Sequence, residues 1–546
     1  MIQCVACSLK GIMWREILVT ALFCLRYGEG GFPYIVPSVG QIWPQPQHIT
    51  TEQTYMVVRP NSFSFTLNGY DCVTLQDALK RYTDIMFNSS NEYQIKKVDP
   101  WTKTQYFSGY LDTVHVNLLK PCEHMPYLGM DEQYSLKIDT PDDPGKGTLI
   151  SESIWGMLRG LESFSQLLIP DGSAYTINST QITDYPRFRH RGLLIDSARH
   201  YLPKSKLLET VDLLGMNKFN VLHWHIVDDQ SFPFVSTQFP NLSGKGAYSQ
   251  ERLYDAQDIA DVVEYARNRG VRVVVEFDTP GHTRSWGPGQ DGLLTTCYSD
   301  GKPDGNYGPI DPTNDDNYDF LTLLFTEITS HFPDHYVHLG GDEVSFDCWE
   351  SNPTITQYMK DHNITGDYGK LEEVYVSKLL QLISNLPTKN GYIVWQEVFD
   401  NGVAIANDTV VHVWKGGWQD EMANVTKAGY ETILSSCWYL DHITYGTDWK
   451  TYYGCEPFSF NGTQTQNNLL VGGEACIWGE YVDKANLIPR VWPRASAVAE
   501  KLWSSMEQTQ DVNSAAPRIE EFRCKLLSRG FMVDSLGPSF CPGDNL

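Results

Sequence analysis

Two adjacent carboxylates, Asp342 and Glu343, end the run His338-Leu339-Gly340-Gly341-Asp342-Glu343-Val344. The preceding Tyr336-Val337-His338-Leu339 reads as a buried strand, and the two glycines let backbone or ligand approach closely. Neighbouring acids at a strand end repel each other and are costly to desolvate, although a plain turn with two solvated acids would use the same residues. A carboxyl placed there could protonate a leaving oxygen, as glycoside cleavage requires. Successive strand residues point to opposite sides, so the pair cannot flank one scissile bond as nucleophile and acid. One of the two must do something else.

From about residue 187 the chain alternates strand-like and helix-like runs. Strand candidates lie at 192–197, 221–228, 271–278, 335–341, 392–397, 409–415, 431–438 and 470–477, with helix candidates at 207–216, 259–267, 319–331, 371–385 and 483–503. Eight strands with intervening helices predict an α/β fold, a (β/α)8 TIM barrel over 187–546, with the tail 516–546 helping to close it. A doubly wound open sheet is the alternative, but no glycine-rich phosphate turn follows a strand. Residues 31–186 mix strand-like runs at 55–58 and 114–118 with helix candidates at 74–87 and 152–168, which predicts a small α+β domain ahead of the barrel. Residues 1–30 place Lys10 and Arg15 before a short apolar run, 17–25, and small residues, the pattern of a signal peptide and leader.

Barrel enzymes carry their sites at the C-terminal strand ends. Those ends are polar or aromatic on every strand: Arg199; Asp228; Asp278 and His282; Asp342 and Glu343; Trp395; Trp414; Tyr439 and Asp441; Trp478 and Glu480. Tryptophans offer apolar walls to a sugar ring, while carboxylates and one arginine can bond hydroxyls; a phosphate ligand would want more Lys and Arg. The set points to a neutral polyhydroxyl ligand. The net charge of −25 argues against nucleic acid or an anionic membrane as partner, and no stretch after the leader is long and apolar enough to span a bilayer. His223-x-His225 could bind a metal in a hydrolase of another class. Strand eight lacks an Asp and no paired CxxC has zinc spacing, so neither metal nor cofactor is expected. Nine of the twelve cysteines lie beyond the leader, an odd number. Cys72 and Cys122 could staple the first domain, and Cys524 and Cys541 are close enough in sequence to pair. Seven Asn-x-Ser/Thr sites, at Asn88, Asn178, Asn241, Asn363, Asn407, Asn424 and Asn461, point to glycosylation.

Long motifs then occur in order: His190-Arg191-Gly192-Leu193-Leu194-Ile195-Asp196, Ser197-Ala198-Arg199-His200-Tyr201, His223-Trp224-His225-Ile226-Val227-Asp228-Asp229, Asp278-Thr279-Pro280-Gly281-His282, the 338–344 run, Trp395-Gln396-Glu397-Val398 and Gly472-Gly473-Glu474-Ala475-Cys476-Ile477-Trp478-Gly479-Glu480. With these the chain closely resembles, over about residues 40–546, the retaining β-N-acetylhexosaminidases of glycoside hydrolase family 20, particularly the animal lysosomal α and β subunits. That family is a substrate-assisted exception to the two-carboxylate scheme, which would resolve the adjacency of the acids. The resemblance implies that the substrate's 2-acetamido oxygen attacks the anomeric carbon and that an oxazolinium-like intermediate is opened by water. It implies Glu343 as general acid and then base, Asp342 orienting the acetamido N–H, and Tyr439 holding its oxygen. Trp395, Trp414 and Trp478 would form walls, Arg199, Asp441 and Glu480 would bind hydroxyls, and Asp228 with His282 would lead to Glu343. An acidic optimum is expected, since the general acid must hold its proton. The resemblance also implies Cys72–Cys122, Cys297–Cys348 and Cys524–Cys541 pairs, with Cys476 free. Cys437 and Cys455 stand where the mammalian subunits have other residues and are expected to form an extra bridge.

A second departure lies at Asp441-His442. The α type carries Asn-Arg there and its Arg meets anionic substrates; Asp441 matches the β type, and His442 matches neither. The implied substrates are terminal β-linked N-acetylglucosamine or N-acetylgalactosamine on glycoproteins, glycolipids or chitin fragments, the implied assembly a homodimer, and the implied location the lysosome or the exterior. A barrel that kept its aromatic walls but lost its acid would be a sugar-binding protein. Asp342, Glu343 and Tyr439 are all present, which favours an enzyme.

Overall fold

Runs such as Val221-Leu222-His223-Trp224-His225-Ile226-Val227 are apolar on both faces, which suits a parallel strand buried on each side. The computed structural model describes residues 35, 38, 40–87, 104–442, 444 and 446–541, and the leader lies outside them. Eight parallel strands run His190–Asp196, Val221–Val227, Arg272–Phe277, Tyr336–His338, Gly391–Trp395, Val410–Val413, Glu431–Leu434 and Leu470–Ile477. Each pairs with the next, and the eighth pairs back onto the first, so the sheet is a closed barrel and not an open one. Longer helices follow most strands: Lys204–Met216, Ala256–Arg267, Asp315–His331, Tyr368–Asn385, Trp418–Ala428 and Arg494–Trp503. Local chemistry starts several of them. Asp255 and Asp258 form a reciprocal capping box before Ala256–Arg267, and Asn314 and Asp367 cap their helices through side-chain oxygens.

Several expectations change, beginning with strands four, five and six, which stop at His338, Trp395 and Val413 rather than at 341, 397 and 415. Strand seven stops at Leu434 rather than 438, and Tyr439 rejoins the barrel only through an isolated bridge to Cys476. The run 483–503 is two helices, Leu487–Val491 and Arg494–Trp503, because Pro493 between them has no N–H to continue the ladder. The tail does not close the barrel, which strand pairing has already closed. Its helix Val512–Ser528 packs outside: Arg518 pairs with Glu500 of the last barrel helix, and Arg529 with Glu162 of the first domain.

The first domain is a mixed sheet of eight strands between His48 and Asp184, covered by helices Val73–Phe87 and Ile154–Leu167. Buried ion pairs fasten it to the barrel. Glu132 accepts from both Arg159 and Arg191, and Asp184 holds Lys218 at 2.8 Å. Such pairs contribute little net stability, but losing one partner would cost about 3–5 kcal/mol.

Inward-facing residues stack in layers, as strand alternation requires. The lowest is apolar: Val221, Val274, Ile393, Val410, Ile433 and Val471, with Tyr336 against them. Two residues further along come His223, Glu276, His338, Trp395 and His412, joined by Glu474 of strand eight. The barrel is therefore hydrocarbon at its floor and charged just beneath its mouth.

Candidate active site

The Gly-Gly pair is a steric necessity. Gly340 and Gly341 have φ of 69° and 96°, and a Cβ on Gly340 would lie 1.7 Å from Asp278 Oδ1. Asp278 Oδ1 instead accepts the Gly341 N–H at 2.9 Å. Glu343 (φ 51°) and His282 (φ 55°) are non-glycine residues in the left-handed region, each costing about 1 kcal/mol or more. This turn sends the two acids different ways: Asp342 is buried at 8% exposure, while the Glu343 side chain is 60% exposed.

His282 links them. Its Nε2 lies 3.7 Å from both Asp342 Oδ2 and Glu343 Oε2, and its Nδ1 meets Asp228 Oδ1 at 3.3 Å. Burial opposes charge on this ring, but Asp278, Asp342 and Asp228 outweigh it and hold its pKa up to about 11. Asp228 also receives Arg199 at 2.9 Å and His225 at 2.7 Å. Burial alone would raise the Asp228 pKa, yet His225 and His282 hold it well below the usual carboxylate range. Asp278 goes the other way: burial and the neighbouring Asp342 push its pKa far up.

Above these groups opens a cavity of about 450 Å³. Trp414, Trp478 and Tyr439 form its aromatic side. Trp414 stacks on Tyr439 with centroids 5.9 Å apart, and burial holds the Tyr439 hydroxyl well above its ordinary pKa. The Trp414 indole donates to Glu397 Oε2, while its backbone N–H donates to Gln396 Oε1. Arg199, Asp441, His442, Glu480 and Tyr481 make the polar side. Arg199 is steered by Asp196 and lies over the Trp478 ring. Trp395, expected as a wall, is 1% exposed and packs behind the cavity with Leu194 and Cys476. A cavity of about 820 Å³ opens near His200, Tyr248 and Lys484; its acids, Glu251 and Asp483, lie on surface loops beside Arg252 and Lys484, whereas Asp342, Glu343 and His282 line the smaller cavity, to which the chemistry therefore belongs. Ring faces, several acceptors and one guanidinium suit a neutral sugar with a proton donor at its edge.

Could a metal sit nearby? His223, His338 and His412 converge among the described residues. The His223 and His338 rings stack, however, at 4.6 Å, presenting faces to each other rather than lone pairs. His223 Nδ1 is bonded to Glu474, and His338 Nδ1 accepts the Gly340 N–H. This is a hydrogen-bonded layer beneath the site.

The disulfides are Cys72–Cys122, Cys297–Cys348, Cys437–Cys455 and Cys524–Cys541, with Cys476 free and buried. Cys437–Cys455 closes the loop that carries Asp441 and His442. Of the glycosylation sites, Asn241, Asn363, Asn407, Asn424 and Asn461 are exposed, and Asn88 lies outside the described residues. Asn178 is corrected: it is 7% exposed inside a strand and its amide nitrogen donates to Glu52 O, which leaves no room for a glycan. Sequence reasoning placed Asp278 among the polar strand ends without a role of its own, and assigned none to Glu276. The signal was available, since a carboxylate inside Val273-Val274-Val275-Glu276-Phe277 must face the barrel interior.

Comparison with known proteins agrees with this geometry. Residues 188–506 match the catalytic domain of glycosyl hydrolase family 20, and residues 42–167 match the domain described as beta-acetyl hexosaminidase like. The chain is 46% identical to the beta-hexosaminidase subunit alpha of Bos taurus, covering 92% of this chain and 94% of that protein. It is also 46% identical to the beta-hexosaminidase subunit beta of Homo sapiens, covering 94% and 90%. Among solved structures, the Flavobacterium johnsoniae chitobiase superposes with a TM-score of 0.77 at 27% identity, over 90% of this chain and 73% of that one. The two-domain architecture, the acid pair at the mouth of the barrel and these matches over nearly the whole chain place it in glycosyl hydrolase family 20, as a glycoside hydrolase.

Proposed function

We propose that this chain is a retaining exo-β-N-acetylhexosaminidase that removes terminal β-linked N-acetylglucosamine or N-acetylgalactosamine with help from the substrate's own acetamido group. The observation that carries the reading is the divergence of Asp342 and Glu343 around His282. Only Glu343 is exposed to a leaving group, while Asp342 is sunk beside the aromatic pocket. In the first step the acetamido oxygen bonds to the anomeric carbon, the glycosidic C–O bond breaks, and the leaving oxygen takes the Glu343 proton. Asp342 accepts the acetamido N–H and offsets the positive charge that develops there. Tyr439 donates its hydroxyl to the acetamido oxygen. Water then gives a proton to Glu343 and attacks the anomeric carbon, opening the oxazolinium ring with net retention.

Arg199, Asp441 and Glu480 bind hydroxyls at the rim, Trp414 and Trp478 hold the sugar faces, and Trp395 backs them. Asp228 keeps His282 charged between the two acids. The names of the bovine and human relatives support this substrate class. Glycoproteins, glycolipids and chitin fragments all present such an end, and the working form is a homodimer in a lysosome or outside the cell. A monomer by light scattering at working concentration would contradict the assembly.

The test is hydrolysis of a panel at pH 4.5 and 7: chromogenic β-N-acetylglucosaminide, β-N-acetylgalactosaminide, the 6-sulfated glucosaminide, and chitobiose. Cleavage of both neutral sugars at the acid pH is expected, with little of the sulfated one because Asp441 repels it. Strong cleavage of the sulfated sugar would assign His442 to anion binding. No cleavage of any member would overturn the proposal in favour of a sugar-binding protein.

A further inference from the structure

We propose that Glu276 is a positioning residue of this reaction centre, one carboxylate that ties the indole behind the sugar pocket to the imidazole behind the proton relay. The inference rests on the function proposed above. Glu276 is the next-to-last residue of strand three and is fully buried. Its Oε1 accepts from Trp395 Nε1 at 2.8 Å. Its Oε2 accepts from His225 Nδ1 at 2.8 Å, and the other nitrogen of that ring meets Asp228 at 2.7 Å. Trp395 backs Trp414 and Trp478, and Asp228 holds His282 between the two reacting acids. A shift of Glu276 therefore moves both halves of the site at once. Barrel packing alone does not call for this residue, because an apolar side chain of similar volume would fill the layer without the cost of burying a charge.

The surrounding charges are accounted for. His225 is faced by Glu276, by Asp228 and Arg199 from the mouth loops, and by His282 beyond Asp228. Glu276 is faced by His223 at 3.0 Å, not aligned for a hydrogen bond, and by His338 at 3.3 Å. Glu474, His190 and His412 complete the layer. Burial disfavours charge on His225 and His223, but Glu276 and Asp228 hold the first up to about 10, and Glu474 and Glu276 hold the second up to about 9. Burial instead lowers the pKa of His190, His338 and His412, the last to about 3. Glu276, together with Asp228, thus favours the protonated form of His225 between pH 4.5 and 7.

The test is Glu276→Gln. The amide oxygen still accepts from Trp395, but an NH2 now opposes His225 Nδ1. Expected is a kcat/KM loss of at least tenfold at pH 7 that shrinks to under threefold at pH 4.5, with KM within twofold throughout. A loss equal at both pH values, or none, overturns the proposal. Independently of turnover, selective 15N-histidine NMR should show His225 doubly protonated from pH 5 to 8 in the parent and losing its proton within that range in the variant. If the variant does not fold, the parent decides: a neutral His225 at pH 7 overturns the inference. Because the NMR readout needs no turnover, a parent that cleaves no acetamido sugar refutes the proposed function while the titration still judges Glu276.

Discussion

Gly340→Ala tests the link between backbone geometry and chemistry. The added methyl would stand 1.7 Å from Asp278 Oδ1 and 2.7 Å from Asp278 Cα, at φ +69°. The left-handed conformation costs alanine about 1–2 kcal/mol, and overpacking adds about 1–3 kcal/mol, so a stability loss of about 2–5 kcal/mol is expected. To relieve the contact, Asp278 must retreat by more than about 1 Å. It would then lose the Gly341 N–H and disturb the carboxyl pair that fixes Asp342. Misplacement on this scale costs about 100-fold in rate. The assay is kcat and KM on the chromogenic N-acetylglucosaminide, with urea unfolding alongside. A kcat about 100-fold down with KM nearly unchanged is expected. Gly341→Ala is the control: its methyl meets only Val398 Cγ2, the end of a side chain that can turn away, so it should lose stability but less than about tenfold in kcat. A Gly340→Ala variant within threefold of the parent would refute the reasoning.

Glu343→Gln should abolish turnover while leaving the unfolding midpoint unchanged, because the side chain is largely exposed; measurable turnover without added nucleophile would remove Glu343 from its role. Stability should peak in mild acid. His225, His223 and His282, held up to about 10, 9 and 11, contribute stability that is complete below the ordinary histidine value of 6.5 and lost as pH rises through those values. Asp228, Glu276 and Glu474, all held down, contribute stability that is complete above the ordinary carboxylate values of 3.8–4.5 and lost as pH falls below them. These six groups therefore lower the thermal midpoint above about pH 6.5 and below about pH 4.5, and a midpoint still rising at pH 8 would contradict this. Replacing Cys437 and Cys455 together by serine removes a bridge across a separation of 18 residues, which the chain-entropy argument values at about 3 kcal/mol; KM should rise with the loosened Asp441 loop while kcat holds, and an unchanged KM would free that loop from any part in binding.

Much of this architecture was legible in the sequence because barrel strands buried on both faces leave long apolar runs ending in polar residues. The acids, His282 and the aromatic side of the pocket could be placed that way. Strand seven reads too long in the sequence because Ser435 and Trp438 are still buried and Ser436 and Cys437 half-buried, so hydropathy alone does not mark where the ladder stops. Trp395 could not be assigned as backing rather than wall, since its depth is set by Leu194 and Cys476 from strands far away in sequence. The same holds for Asp278, whose importance appears only when the turn of Gly340 and Gly341 lays it against Asp342. Asn178 carried the sequon pattern, but its burial is a property of sheet pairing.

The central claim is that the substrate supplies its own nucleophile. The most direct measurement compares p-nitrophenyl β-glucosides that carry either a 2-acetamido group or a 2-hydroxyl, with NMR following the anomer first released. The account predicts a rate ratio of about 1,000 or more in favour of the acetamido sugar, about 4 kcal/mol of transition-state stabilisation, with the β anomer appearing first. Comparable cleavage of the plain glucoside, or first release of the α anomer, would contradict it.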